Sequence, residues 1–209
     1  MEMENKKGTT TLGLVFKDGV VAAAEHRATM GTLIAHKVTK KIFKIDEHML
    51  LTTAGLVGDA QLLARLLKVE AELYKLEREE VMPVKGAATL MANILNQRKF
   101  YPYYVQLIIA GTDTTGAHVF SLDAAGGAIE DIYTTTGSGS PYVFGVLEDN
   151  YKEGMSEDDA VNLAIRAITA AIKRDSASGN GMDVVVITKK GYRELSSDEI
   201  EERKKKLGL

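Results

Sequence analysis

Thr9, preceded by Gly8 and followed by Thr10 and Thr11, is the residue whose type and position could do chemistry. If the Gly8–Thr9 bond were cut, Thr9 would carry a free amine and a hydroxyl on one residue. That pair is a nucleophile with its own base for acyl transfer. A threonine hydroxyl attacks poorly until a base takes its proton, and an α-amine with a reference pKa of about 7.7–8.0 suits that task near neutrality. Such a site also needs a cation near the reacting oxygen, an acid to hold the cation, and backbone N–H groups aimed at the developing oxyanion. The alternative is that the three threonines simply open a β-strand, which β-branched residues favour.

Candidates for each part occur along the chain. Lys41 precedes an apolar run, either as a surface charge beside Lys40 or as the cation. Glu25 ends the apolar stretch Val20-Val21-Ala22-Ala23-Ala24, so it is either at a solvated strand end or paired with a cation. Ala54-Gly55 closes another apolar strand; a glycine there is an ordinary turn or a place where backbone approaches a ligand closely. Gly137-Ser138-Gly139-Ser140-Pro141 lacks the third glycine and the lysine of phosphate-binding loops, which argues against nucleotide binding. It could place the Ser138 hydroxyl at a strand end. Arg174-Asp175-Ser176-Ala177-Ser178-Gly179 puts a polar cluster at a helix C-terminus. His26, His36, His48 and His118 are scattered without metal-ligand spacing, so no metal site is expected.

The elements that must position these residues follow from periodicity. Thr10–Phe16 and Val20–Glu25 flank Lys17-Asp18-Gly19, a hairpin signal. Ile42–Ile45 and Met49–Thr53 form a second pair around Asp46-Glu47-His48. Apolar residues then recur at helical spacing from Asp59 to about Glu79, and Pro83 starts a second helix running to about Arg98. Strands return at Val105–Ala110, Ala117–Leu122 and Ala128–Thr134. Helices follow over Pro141 to about Tyr151 and Glu157–Arg174, with Ser156 and Asp159 as a capping box. Asp183–Thr188 is a strand with a short partner at Tyr192–Leu195, and Ser197–Lys206 is a terminal helix with acids early and lysines late. Hairpins alternating with helix pairs predict an α+β fold of two face-to-face antiparallel sheets with helix pairs outside.

Composition narrows the function classes. The chain has 209 residues, 45% hydrophobic and 26% charged, with a net charge of −3 and no cysteine. That describes one domain with a full core, without disulfides, a thiolate metal site or a cysteine nucleophile. Nothing in the charge balance suggests nucleic acid or a membrane surface. Met1–Gly8 is polar and lacks the apolar core of a secretory signal, which points to the cytoplasm.

Taken together, Gly8-Thr9-Thr10-Thr11, Glu25-His26-Arg27, Lys40-Lys41, Ala54 to Ala60, Gly137 to Ser140 and Arg174 to Gly179 resemble the proteasome β subunits, most nearly the archaeal type. The resemblance runs in matching order from Gly8 to the C-terminus. It implies the N-terminal nucleophile hydrolase fold, a four-layer αββα sandwich. Residues 1–8 would be a propeptide removed by self-cleavage between Gly8 and Thr9, leaving 9–209 as a single catalytic domain. Thr9 would be nucleophile through its hydroxyl and base through its amine. Lys41 would tune Thr9, Glu25 would hold Lys41 where the family more often has aspartate, and the Gly55 N–H would form the oxyanion hole. Ser138, Asp175 and Ser178 would orient the amine and a water. Ala28, Thr39, Phe43, Thr53, Val57 and Gln61 would line an uncharged pocket for the residue before the cut, and Thr29 would pair with substrate backbone. The resemblance further implies a threonine-type endopeptidase without cofactor. It would act in a heptameric β ring between α-subunit rings, on unfolded chains fed by a regulatory ATPase. A non-catalytic ring subunit and the bacterial two-ring threonine protease are the alternative readings.

Overall fold

A computed structural model describes residues 8–209; residues 1–7 of the expected propeptide lie outside the described residues. The chain runs β1 (Thr10–Phe16), β2 (Gly19–Glu25), β3 (Ala28–Met30), β4 (Leu33–His36), β5 (Ile42–Asp46), β6 (Met49–Gly55), α1 (Val57–Arg78) and α2 (Val84–Gln97). It continues through β7 (Val105–Asp113), β8 (Gly116–Leu122), β9 (Ala128–Asp131), β10 (Tyr133–Gly137), α3 (Ser140–Asn150), α4 (Glu157–Arg174), β11 (Met182–Thr188), β12 (Gly191–Glu194) and α5 (Ser197–Lys206). One antiparallel sheet has the order β10-β1-β2-β11-β12 and the other β5-β6-β7-β8-β9, while β3 and β4 form a separate hairpin.

Side-chain alternation divides the core into three layers. Along β2, Val20, Ala22 and Ala24 join Leu50, Ile108, Val119 and Val185 between the two sheets. Val21 and Ala23 face the other way, with Leu12, Leu14, Ala164 and Ile168, under α3 and α4. Met49 and Leu51 of β6 likewise turn outward to Leu63, Leu67 and Met91 of α1 and α2. Period-two strands buried on both faces need apolar residues at successive positions, which explains the apolar runs Val20–Ala24 in β2, Met49–Leu51 in β6 and Leu107–Ala110 in β7. The result is the expected α+β sandwich, helices–sheet–sheet–helices.

Three local expectations differ. The single strand expected over Ala128–Thr134 is two strands: β9 pairs with β8 in one sheet and β10 with β1 in the other. The chain changes sheets at Ile132, whose N–H donates to Asp131 Oδ1 at 2.7 Å and whose carbonyl accepts from Val15 N at 2.8 Å. No glycine or proline marks that bend, so β-propensity reads straight through it. The β3–β4 hairpin was not expected, because its strands are short and β4 is wholly exposed. At α4, Ser156 accepts from Asp159 N at 3.2 Å as a cap should, but the Asp159 carboxylate accepts from the Ser156 hydroxyl rather than from its backbone. Aspartate is one methylene shorter than the glutamate that completes a capping box.

Candidate active site

The strand ends at one edge of the sandwich meet around a cleft of about 160 Å³. Thr9 stands just before β1, Glu25 is the last residue of β2, Lys41 precedes β5, and Gly55 ends β6 directly before α1. Glu25 is fully buried, and Thr9 and Lys41 are each only 5% exposed. A buried carboxylate must be hydrogen-bonded or paired, and Glu25 is both. Its Oε1 accepts from the Thr9 hydroxyl at 2.9 Å, from Thr10 N at 3.1 Å and from Lys41 Nζ. Its Oε2 accepts from Arg27 N at 2.7 Å and Gly179 N at 2.9 Å. Lys41 Nζ also donates to the Arg27 carbonyl at 2.5 Å. Burial pushes the Lys41 ammonium below its ordinary value, and the Glu25 charge opposes that shift. The cation and the candidate nucleophile therefore meet on one carboxylate oxygen. The hydroxyl points at Glu25, a contact additional to the expected hold of Glu25 on Lys41.

Gly55 has φ +125°, and a Cβ there would lie 2.0 Å from the Tyr104 carbonyl oxygen, so only glycine fits. Leu56 N donates to Tyr104 O toward β7, and Thr53 N donates to Lys41 O on the β5 side. Antiparallel alternation then turns the Gly55 N–H to the β5 side, beyond the start of that strand and toward the cleft that Gly55 lines.

Ser138, Asp175 and Ser178 converge as a second polar group. Asp175 Oδ2 accepts from both serine hydroxyls at 2.6 Å. With the Ser178 proton committed there, the Thr10 hydroxyl donates to Ser178 Oγ at 2.7 Å. Ser138 Oγ lies 3.3 Å from the Thr9 carbonyl oxygen. The network thus grips the side chain of Thr10 and sets Ser138 against the Thr9 carbonyl, a second and more distant acceptor for the same proton.

Of the expected pocket residues, Ala28, Thr39, Phe43, Thr53 and Val57 line the cleft, as does Thr29. Gln61 does not: it is exposed on α1, and Ala60, one residue earlier and turned inward, lines the cleft in its place. Thr29 Oγ1 accepts from Gly8 N at 3.0 Å, so it touches the chain preceding Thr9 through its side chain. A Cβ on Gly8 would fall 1.7 Å from Ala177 Cβ. Sequence reasoning missed Arg27, Gly179 and Asn180, which lock the loop beside Glu25. Arg27 Nε donates to Asn180 Oδ1 at 2.8 Å and an Arg27 terminal nitrogen to Ser176 O at 2.7 Å. Their signal was the charged run Glu25-His26-Arg27 at the end of an apolar strand. Among the described residues no helix is long and apolar enough to cross a membrane.

Residues 5–187 match the family model described as proteasome subunit. A proteasome subunit beta of Ferroglobus placidus is 60% identical over 196 residues, covering 93% of each chain. One from Thermoplasma acidophilum is 56% identical over 210 residues, covering 100% of this chain and 99% of its own length. One from Methanosphaerula palustris is 54% identical, covering 96% of each chain. The chain belongs to the proteasome subunit family.

Proposed function

We propose that this proteasome-family chain is a catalytic β subunit that hydrolyses peptide bonds of unfolded polypeptides with Thr9 as nucleophile. The observation that carries this reading is the meeting of the Thr9 hydroxyl and Lys41 Nζ, both lining the cleft, on Glu25 Oε1 buried behind them.

Maturation comes first, because the Thr9 nitrogen in the full chain is an amide bonded to Gly8. Thr9 Oγ attacks the Gly8 carbonyl carbon, and the hydroxyl proton passes to the departing Thr9 nitrogen. The C–N bond breaks to give an ester on Thr9, and water hydrolyses it, releasing residues 1–8. The fit of Gly8 against Ala177 supports this register, since any larger residue there would displace the scissile bond.

In each later turnover the free amine takes the hydroxyl proton as Oγ attacks a substrate carbonyl. Lys41, kept charged by Glu25, favours the ionised oxygen, and the Gly55 N–H stabilises the tetrahedral oxyanion. The protonated amine gives its proton to the leaving peptide amine, and water then hydrolyses the Thr9 ester. Asp175 holds Ser138 beside the Thr9 carbonyl and Ser178 on the Thr10 hydroxyl, which would keep amine and water in place. Phe43, Ala28 and Val57 give the cleft an apolar wall besides the Lys40–Lys41 end of its lining, which supports cleavage after apolar residues with loose specificity.

The subunit would act with other proteasome subunits in the cytoplasm, as a seven-membered β ring capped by α rings and fed by an ATPase. The test is the intact mass of the chain after co-expression with its α partner. Loss of residues 1–8 from wild type, and its retention in Thr9→Ala, is the expected result; processing of Thr9→Ala would overturn the assignment.

A further inference from the structure

His26 lies beside the site but does not line the cleft. Its two ring nitrogens both face acceptors that cannot donate. Nε2 is 2.8 Å from Asp183 Oδ1 on β11, and Nδ1 is 3.2 Å from the Asn180 carbonyl oxygen. A carboxylate and a backbone carbonyl each require an N–H, so the imidazole satisfies both only when both nitrogens carry protons. The hydrogen bond to Asp183 holds His26 above its ordinary value, against an opposing push from burial. The other charged groups around it are Glu25, the preceding residue at the end of β2, and Arg27, the following residue, whose side chain grips the same Asn180.

What His26 holds is the segment that completes the site. Asn180 sits at φ +65°, a left-handed conformation unusual for a non-glycine residue. The His26 and Arg27 N–H groups both donate to Gly179 O, at 3.2 and 3.0 Å. Gly179 N donates to Glu25 Oε2, and Asp175 and Ser178 lie just upstream in the same loop. The 175–181 loop is thus tied to the end of β2 by backbone and side chains together.

We propose that protonated His26 is a positioning residue that clamps the 175–181 loop onto Glu25 and Thr9, and that losing its proton weakens the clamp and slows turnover at Thr9. This inference rests on the Thr9 reading above. The sign follows from the raised folded-state value: the clamp is fully present below about 6.5 and is lost as the pH rises through the raised pKa. The free Thr9 amine works in the opposite sense, gaining activity as it loses its proton, which for an ordinary α-amine happens at about pH 7.7–8.0. A further falling limb belongs to the Lys41 ammonium.

The experiment compares wild type, His26→Asn and His26→Arg in particles assembled with the α partner. It reads kcat and KM for an apolar peptide between about pH 6 and 10, together with covalent labelling of Thr9 by a threonine-directed inhibitor. We expect His26→Asn to lower kcat near pH 7 roughly tenfold, the factor for losing one hydrogen bond to a charged group, with KM unchanged. Arginine keeps a permanent charge and several donors, so His26→Arg should recover kcat and move the falling limb upward. Profiles of identical shape in all three, a change in KM instead of kcat, or His26→Arg no better than His26→Asn would each overturn the positioning role while Thr9 still labels. Assembled wild-type particles that neither cleave peptide nor label at Thr9 would overturn the Thr9 reading itself, and the role of His26 with it.

Discussion

Two ion-pair clusters in this molecule use the same chemistry in opposite surroundings. At the cleft, the Lys41 and Glu25 side chains are 6% and 0% exposed. On the outer face of α4 and α5, Arg203 pairs with Asp158 at 2.8 Å and Glu199 at 3.5 Å and donates to Asn162 Oδ1 at 3.1 Å, but the Asp158 side chain is 79% exposed. Water screens the outer cluster, so its pairs contribute roughly 0–1 kcal/mol each. In the inner pair Glu25 accepts from Lys41 and from four further donors, and neither partner can be removed without stranding the other in a dry site. Burial, rather than the number of charges, separates a cluster that can polarise a reacting oxygen from one that ties helix ends together.

The sharpest way to break this contrast is Lys41→Ala. It should destabilise the chain by about 3–5 kcal/mol, the range for leaving a buried charge unpaired. It should also lower peptidase activity by on the order of 10²-fold or more, read by thermal unfolding and peptide hydrolysis. Gly55→Ala comes next: the new Cβ meets the Tyr104 carbonyl at a backbone angle that costs about 1–3 kcal/mol to impose on a non-glycine residue. Its kcat should fall further than its stability, since the Gly55 N–H would turn away from the reacting oxygen. Glu25→Asp should cost less than Glu25→Gln in kcat, because the charge on Lys41 keeps its partner; equal losses would show that reach, not charge, matters at this position. Arg203→Ala should shift stability by no more than about 1 kcal/mol and leave kcat unchanged.

A pH series sharpens the same contrast. Burial holds Lys41 below the ordinary lysine value of 10.5, so its charge, and on the proposed mechanism the activity with it, should be lost on the alkaline side before an exposed lysine would titrate. In that window the unfolded chain binds the proton more tightly than the folded one, so this group's contribution to stability rises with pH while activity falls. Activity and stability moving together there would contradict the assignment of the alkaline limb to Lys41.

Much of this arrangement was legible in the sequence. A glutamate ending the run Val20 to Ala24 stands out because buried apolar strands rarely carry an unpaired acid, and Lys41 supplied the partner. The order of hairpins and helix pairs gave the sandwich, because period-two and period-3.6 patterns differ over long segments. The sheet change at Ile132 and the β3–β4 hairpin were not legible, since no turn residue marks the first and no apolar alternation marks the second. His26, Arg27 and Asn180 escaped because their roles depend on contacts between β2 and a loop far along the chain. Gln61 was misplaced by one helical position, a rotation of about 100° that exchanges a cleft-facing residue for a solvent-facing one.

The most direct measurement uses chains whose first residue is made Thr9 by fusion cleavage, so that maturation is bypassed, assembled with the α partner. Wild type, Arg203→Ala and Lys41→Ala are treated with a threonine-directed electrophile, and the rate and position of the adduct are read by peptide mass mapping. The account predicts an adduct on Thr9 at equal rates in wild type and Arg203→Ala, and at least 10²-fold slower in Lys41→Ala. An adduct on another residue, or an undiminished rate in Lys41→Ala, would contradict it.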